Sequence, residues 1–129
     1  MLVILLGCSD STPDPSTTSS VQLPTGSWIL VDGAPTVSGH PTSLVFVYDN
    51  GEAIRGSAPC NDYGSEVDID TSTMSVTGIS STAEDCGGTQ GAAETAYLRV
   101  LGEIATWRYV QGSLELSGPS GTLIFEPAQ

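Results

Sequence analysis

Apolar residues fall at every second position in about eight short stretches of this chain, and at helical spacing in one. Alternation sends successive side chains to opposite faces of a sheet, so each short stretch predicts a strand. Ser27–Val31 carries Trp28 and Leu30 on one side. Ser43–Tyr48 sets Leu44, Phe46 and Tyr48 against Val45 and Val47. With both faces apolar, that strand is expected to be covered on both sides. Asp49-Asn50-Gly51 reads as a hairpin turn, because Asn-Gly tolerates positive φ, and Glu52–Gly56 as the returning strand. In Ser65–Ile69, Val67 and Ile69 face a core while Glu66 and Asp68 face water. Met74–Ile79 follows the Asp70-Thr71-Ser72 turn, with Met74 and Val76 inward. Three strands close the chain: Trp107–Val110, Leu114–Ser117 and Thr122–Glu126. Gln111-Gly112 and Pro119-Ser120-Gly121 supply their turns.

The helical stretch is Ala92–Ala105. Ala93, Tyr97, Leu101 and Ile104 form one apolar stripe, with Val100 beside it. Glu94 is expected in the first turn, where a negative charge suits the helix dipole. Short strands joined by tight turns predict a small closed or partly open barrel, the helix covering an opening. A two-sheet sandwich is the alternative.

Before the strands the pattern is different. Residues 1–8 read MLVILLGC. Leu5-Leu6-Gly7-Cys8 looks like a bacterial lipobox, in which the cysteine is lipidated and becomes the new N-terminus. The apolar run is shorter than a full signal and no basic residue precedes it, as a start assigned too far downstream would leave. It is too short to cross a membrane as a helix. Residues 9–25 are rich in Ser, Thr, Pro and Asp and read as a flexible tether. The folded domain is expected over 26–127.

Charge narrows the partners. Fifteen acidic residues stand against three arginines and no lysine, for a formal net charge of −12. Such a surface repels a nucleic-acid backbone and offers no polybasic lipid-binding patch. The expected partners are a membrane, through the lipid on Cys8, and an envelope protein; the domain is expected to be a monomer.

Candidate chemistry centres on Cys60 and Cys86. In an exported domain an even pair reads as a disulfide, closing a loop of roughly 26 residues worth about 3–4 kcal/mol. Two buried thiols, or a redox or metal site, are the alternatives. The spacing is wrong for Cys-x-x-Cys, and no second pair is present. Asn61 is expected to hydrogen-bond its local backbone, as Asx-turns do, and Tyr63 to seal the barrel edge. His40, the sole histidine, lies between Gly39 and Pro41 with no nucleophile-elbow motif to serve. Asp68-x-Asp70 lacks the remaining ligands of a calcium loop. No metal, cofactor or catalytic residue is assigned.

Several of these residues occur in a recognisable order. Gly26-x-Trp28 is followed by Gly56-x-x-x-Cys60-Asn61-x-Tyr63 and by Thr82-x-x-x-Cys86. Glu94-x-x-Tyr97-x-x-x-Leu101 and the closing Leu114-x-Leu116 and Leu123-x-Phe125 complete it. The chain resembles the META domain family, that of the bacterial heat-shock lipoprotein HslJ, over roughly 26–127. Two positions depart from the family pattern: Pro59 stands where glycine is frequent, and Glu84 where methionine is usual. The resemblance implies a mainly β, lipocalin-like barrel of about eight antiparallel strands with one helix packed across it. It also implies a lipid-anchored place in the cell envelope, at the outer membrane or cell surface, and a link to stress and drug tolerance. It implies no reaction. The expected function is therefore non-enzymatic, by protein interaction. A small-ligand-binding barrel is the alternative, and a hydrolase with an unrecognised site the third reading.

Overall fold

The chain was described by a computed structural model over residues 23–128. The lipobox Cys8 and most of the expected tether lie outside those residues. The strands are β1 (Ser27–Asp32), β2 (Ser43–Val47), β3 (Ala53–Ser57), β4 (Asp62–Ile69) and β5 (Met74–Ser81). The helix α1 (Gly88–Gly102) follows, then β6 (Thr106–Val110), β7 (Ser113–Gly118) and β8 (Gly121–Pro127). All neighbouring pairs are antiparallel, in one sheet of order β5-β4-β3-β2-β1-β8-β7-β6.

That sheet curls until its two edges nearly meet, so the sandwich alternative does not hold. Thr73 bridges to Thr106, Met74 N–H donates to Ala105 O at 3.0 Å, and Trp107 N–H to Ser72 O at 3.0 Å. Beyond this corner the edges part, and α1 packs against β5 and β8. Its buried stripe is Ala93, Tyr97, Val100 and Leu101; Ile104, expected on the same helix, lies just past its end and is buried too. Trp28, Phe46, Met74, Tyr97 and Phe125 fill the interior with them. Aromatic and aliphatic area removed from water supplies the main driving force, at about 25 cal/mol per Å².

Four expectations change. Val45 and Val47 are only half-buried, because among the described residues no element packs over the outer face of β2. β4 starts at Asp62, so Tyr63 is a buried strand residue and not a loop residue at the rim. The helix starts at Gly88 and ends at Gly102, so Glu94 lies in its second turn, out of reach of the dipole argument. Leu23 and Pro24, assigned to the tether by composition, pack onto the barrel: Pro24 is fully buried and Leu23 half-buried against the core.

The early helix start is a tertiary effect. Gly88-Thr89-Gln90-Gly91 is a weak helix former, since glycine loses about 1 kcal/mol against alanine. It is anchored from outside instead. Cys86 is bonded to Cys60, and Gln90 Nε2–H donates to Pro59 O at 2.6 Å. The β6–β7 turn matches its expected place, with Gln111 and Gly112 both at positive φ, 52° and 86°. A two-residue turn of that hand follows the twist of its strands.

Candidate functional site

The motif residues converge on one pole of the barrel, where the β3–β4 turn meets the segment before α1. The path begins at Gly56. It is a close-approach position: a Cβ there would sit 2.0 Å from Ser43 O and 3.1 Å from Tyr63 Cε1. Without that Cβ, the Ser43 carbonyl reaches the Tyr63 hydroxyl, which donates to it at 2.8 Å. The Tyr63 and Tyr97 hydroxyls are 2.6 Å apart, their rings edge-on at 5.6 Å. Since Tyr63 spends its proton on Ser43, Tyr97 is the donor between them. Burial pushes both phenols well above the ordinary tyrosine value, so the pair is a neutral strut between β4 and α1. Gly56→Ala is expected to cost about 2 kcal/mol, because the methyl must displace a paired strand. Chemical denaturation checks this; a change within about 0.5 kcal/mol would contradict the close-approach role.

Next comes the disulfide. Cys60 and Cys86 are bonded, with Cα atoms 6.0 Å apart. Two thiols, or a metal pair, are therefore not what the structure holds.

Asn61 is 6% exposed. Its amide uses every donor and acceptor it has. Nδ2 donates to Glu94 Oε2 at 2.7 Å and to Glu84 O at 3.1 Å. Oδ1 accepts from Thr82 Oγ1 at 2.9 Å and from Glu84 N–H at 2.8 Å. These partners are 21 to 33 residues away, so the expected local Asx-turn is not what forms. Asn61 instead sews the segment before the helix to the turn.

Glu94 completes the network from α1. Oε1 accepts the backbone N–H of Cys60 at 2.9 Å and of Asn61 at 2.7 Å. Burial alone would raise its pKa. The Asn61 amide and the two backbone N–H groups outweigh that, with a contribution from nearby His40, and hold the carboxyl below its ordinary value. Sequence reasoning singled out Glu94 within the helix motif but gave it the wrong job. The available signal was its place three residues before Tyr97, which sets a carboxylate beside the apolar stripe of the helix. Glu84 is exposed, and its main chain, not its side chain, does the binding. A polar side chain at this position therefore points away from the network.

Other candidates are dispersed. His40 is half-buried in its loop, its backbone N–H donating to Val37 O at 3.1 Å. Asp68 and Asp70 are exposed. Among the described residues, no three His, Cys, Asp or Glu side chains are grouped as a metal site. Surface concavities of about 490 and 500 Å³ lie over β3–β5, outside the filled interior.

Fold and site define a small, one-sheet β-barrel domain, its helix pinned by a disulfide and by a carboxylate–amide network. A family model for the META domain matches residues 21–129, and the chain belongs to the META domain family. No curated protein matches it. Among solved structures it is similar to the NMR structure of a protein from Burkholderia xenovorans, at 21% identity and TM-score 0.67. That match covers 95% of this chain and 96% of the other. A second NMR structure matches at 17% identity and TM-score 0.61, covering 78% of this chain and 87% of the other. At such identities these likenesses show the fold.

Proposed function

We propose that the chain is an HslJ-like lipoprotein of the cell envelope that acts without catalysis, by binding another envelope protein, in envelope stress or drug tolerance. Family membership supports the envelope-type assignment. The observation that carries the reading is the Cys60–Cys86 disulfide, a bond that persists in extracytoplasmic compartments. The non-enzymatic part draws support from how the motif is used. Cys60, Asn61, Thr82 and Glu94 bind one another and the backbone. The small-ligand alternative loses ground because aromatic and aliphatic side chains occupy the barrel interior.

The test is metabolic labelling with a fatty-acid analogue, with the protein expressed from its own gene. Label on the wild type and none on Cys8→Ser is expected. The wild-type gene should restore survival under envelope stress in a deletion strain, and Cys8→Ser should not. Unlabelled wild-type protein removes the anchor, and full rescue by Cys8→Ser removes the need for it.

A further inference from the structure

At the pole opposite the disulfide, the curl of the sheet brings the start of β1 to the end of β6. Trp28 and Tyr109 lie there with ring centroids 5.9 Å apart, and Trp107 meets Tyr109 edge-on at 5.4 Å. Tyr48, just after β2, joins them. The chain's own Leu23-Pro24-Thr25 lies across this group. The Tyr48 hydroxyl donates to Pro24 O, and Trp28 Nε1–H donates to Thr25 O at 2.8 Å. Pro24 is fully buried in this contact, yet Tyr48 and Tyr109 remain 38% and 42% exposed.

We propose that this aromatic pole is a recognition site for proline-containing polypeptide segments, occupied in cis by Leu23-Pro24-Thr25. The chemistry is that of aromatic grooves that take proline-rich strands. Flat rings receive the proline ring, and phenol and indole donors read the backbone carbonyls beside it. A proline segment has little conformational entropy to lose and no N–H at the proline to leave unpaired. The donors read backbone carbonyls, while the buried Pro24 ring, with Leu23 packed beside it, supplies the preference for an apolar residue followed by proline. Leu23–Thr25 belongs to no strand. Its release breaks side-chain contacts and leaves the sheet ladder whole. The exposed faces of Tyr48 and Tyr109 extend the site beyond what the three residues cover. A proline-bearing segment of a partner protein can thus exchange with the strap. This names a kind of partner for the protein-interaction reading and rests on it for purpose. Binding is measured on the purified chain, so a failed anchor and a failed site are told apart.

The probe is the peptide Ser-Val-Gln-Leu-Pro-Thr-Gly, the chain's own residues 20–26, with Ala replacing Pro as control. Trp28 and Trp107 are the chain's only tryptophans, so indole emission and indole N–H shifts report on this pole directly. The full-length, disulfide-bonded Pro24→Gly variant is expected to bind the peptide about ten-fold more tightly than wild type, because its site is more often vacant. Tyr48→Phe in that background should weaken binding about ten-fold, a hydrogen bond's worth, with the ring retained. The alanine peptide should bind more weakly by a similar factor. A folded Pro24→Gly chain whose indoles ignore the peptide overturns the proposal. So does equal binding of the proline and alanine peptides. If Pro24→Gly does not fold, the proline-versus-alanine comparison on the wild-type chain at millimolar peptide decides in the same way.

Discussion

Replacing Cys60 and Cys86 together by alanine is expected to lower the free energy of unfolding by about 3.5 kcal/mol. The bond spans 26 residues of sequence, and closing a loop of that length removes unfolded-chain entropy of this size. The folded state adds a second contribution. Cys60 precedes Asn61, and Cys86 stands two residues before α1, so the bond holds the network's two halves in register. For a domain of this size the melting temperature should fall by about 10–15 °C. Urea unfolding of the wild type, oxidised and reduced, against the double variant measures it. Reduction of the wild type should reproduce the variant. A loss below about 1 kcal/mol would show that the hydrogen bonds alone fix the loop.

Asn61→Ala should cost about 3 kcal/mol. Alanine strands Glu94 Oε2, the Thr82 hydroxyl and both backbone groups of Glu84 in one step. A double-mutant cycle with Glu94→Ala should return a coupling of about 1–3 kcal/mol, since each residue exists for the other's geometry. Additive losses would dissolve the network into independent contacts. The pair also sets a pH dependence. The folded pKa of Glu94 is depressed, so the unfolded state binds its proton first as pH falls. The stability it contributes is full above the ordinary glutamate range. It is lost as pH drops through that range and past the lower folded value. Glu94→Gln should flatten this acid limb while lowering stability at neutral pH, because its amide sets a donor against Asn61 Nδ2. Asn61→Asp should also lower stability at neutral pH, where two carboxylates repel, but should recover part of it on acidification. Denaturant midpoints across the acid range read all three.

The strands were legible because a half-buried sheet imposes period two on its own residues. Trp28 and Leu30, Val67, Leu114 and Leu116, and Leu123 and Phe125 all point where alternation sends them. The helix stripe was legible for the same reason at its own period. What alternation could not carry was anything decided by a partner far along the chain. Gly88–Gly91 is helical because a disulfide and Gln90 hold it, and no local propensity records that. Val45 and Val47 read as doubly covered, since the pattern cannot say which apolar face lacks a neighbour. Leu23 and Pro24 looked like tether by composition, yet two aromatic donors bind the strap they begin. In the motif, residue types pointed to the right loop and the right cysteines. Glu94 was recognised in the helix, but the remote partners of Asn61 were not readable, because hydrogen bonds across more than twenty residues leave no local spacing.

The β1–β8 ladder has a consequence for how the chain is made. Trp28 pairs with Pro127 and Leu30 with Phe125, and this is the ladder that joins the β2–β5 half to the β6–β7 half. No smaller set of strands completes the curl. A chain emerging from its N-terminus can form the β2–β5 meander and its disulfide early, but β1 keeps one bare edge until β8 arrives. Closing contacts between the two ends of the sequence is slow, because the loop entropy must be met before the ladder returns anything. Removal of β8 (Gly121–Pro127) should therefore leave an open-edged, aggregation-prone chain and not a slightly smaller barrel. The same adjacency of the ends makes a permuted chain, joined from 128 to 26 and opened at Asn50-Gly51, able to rebuild the same sheet in another order.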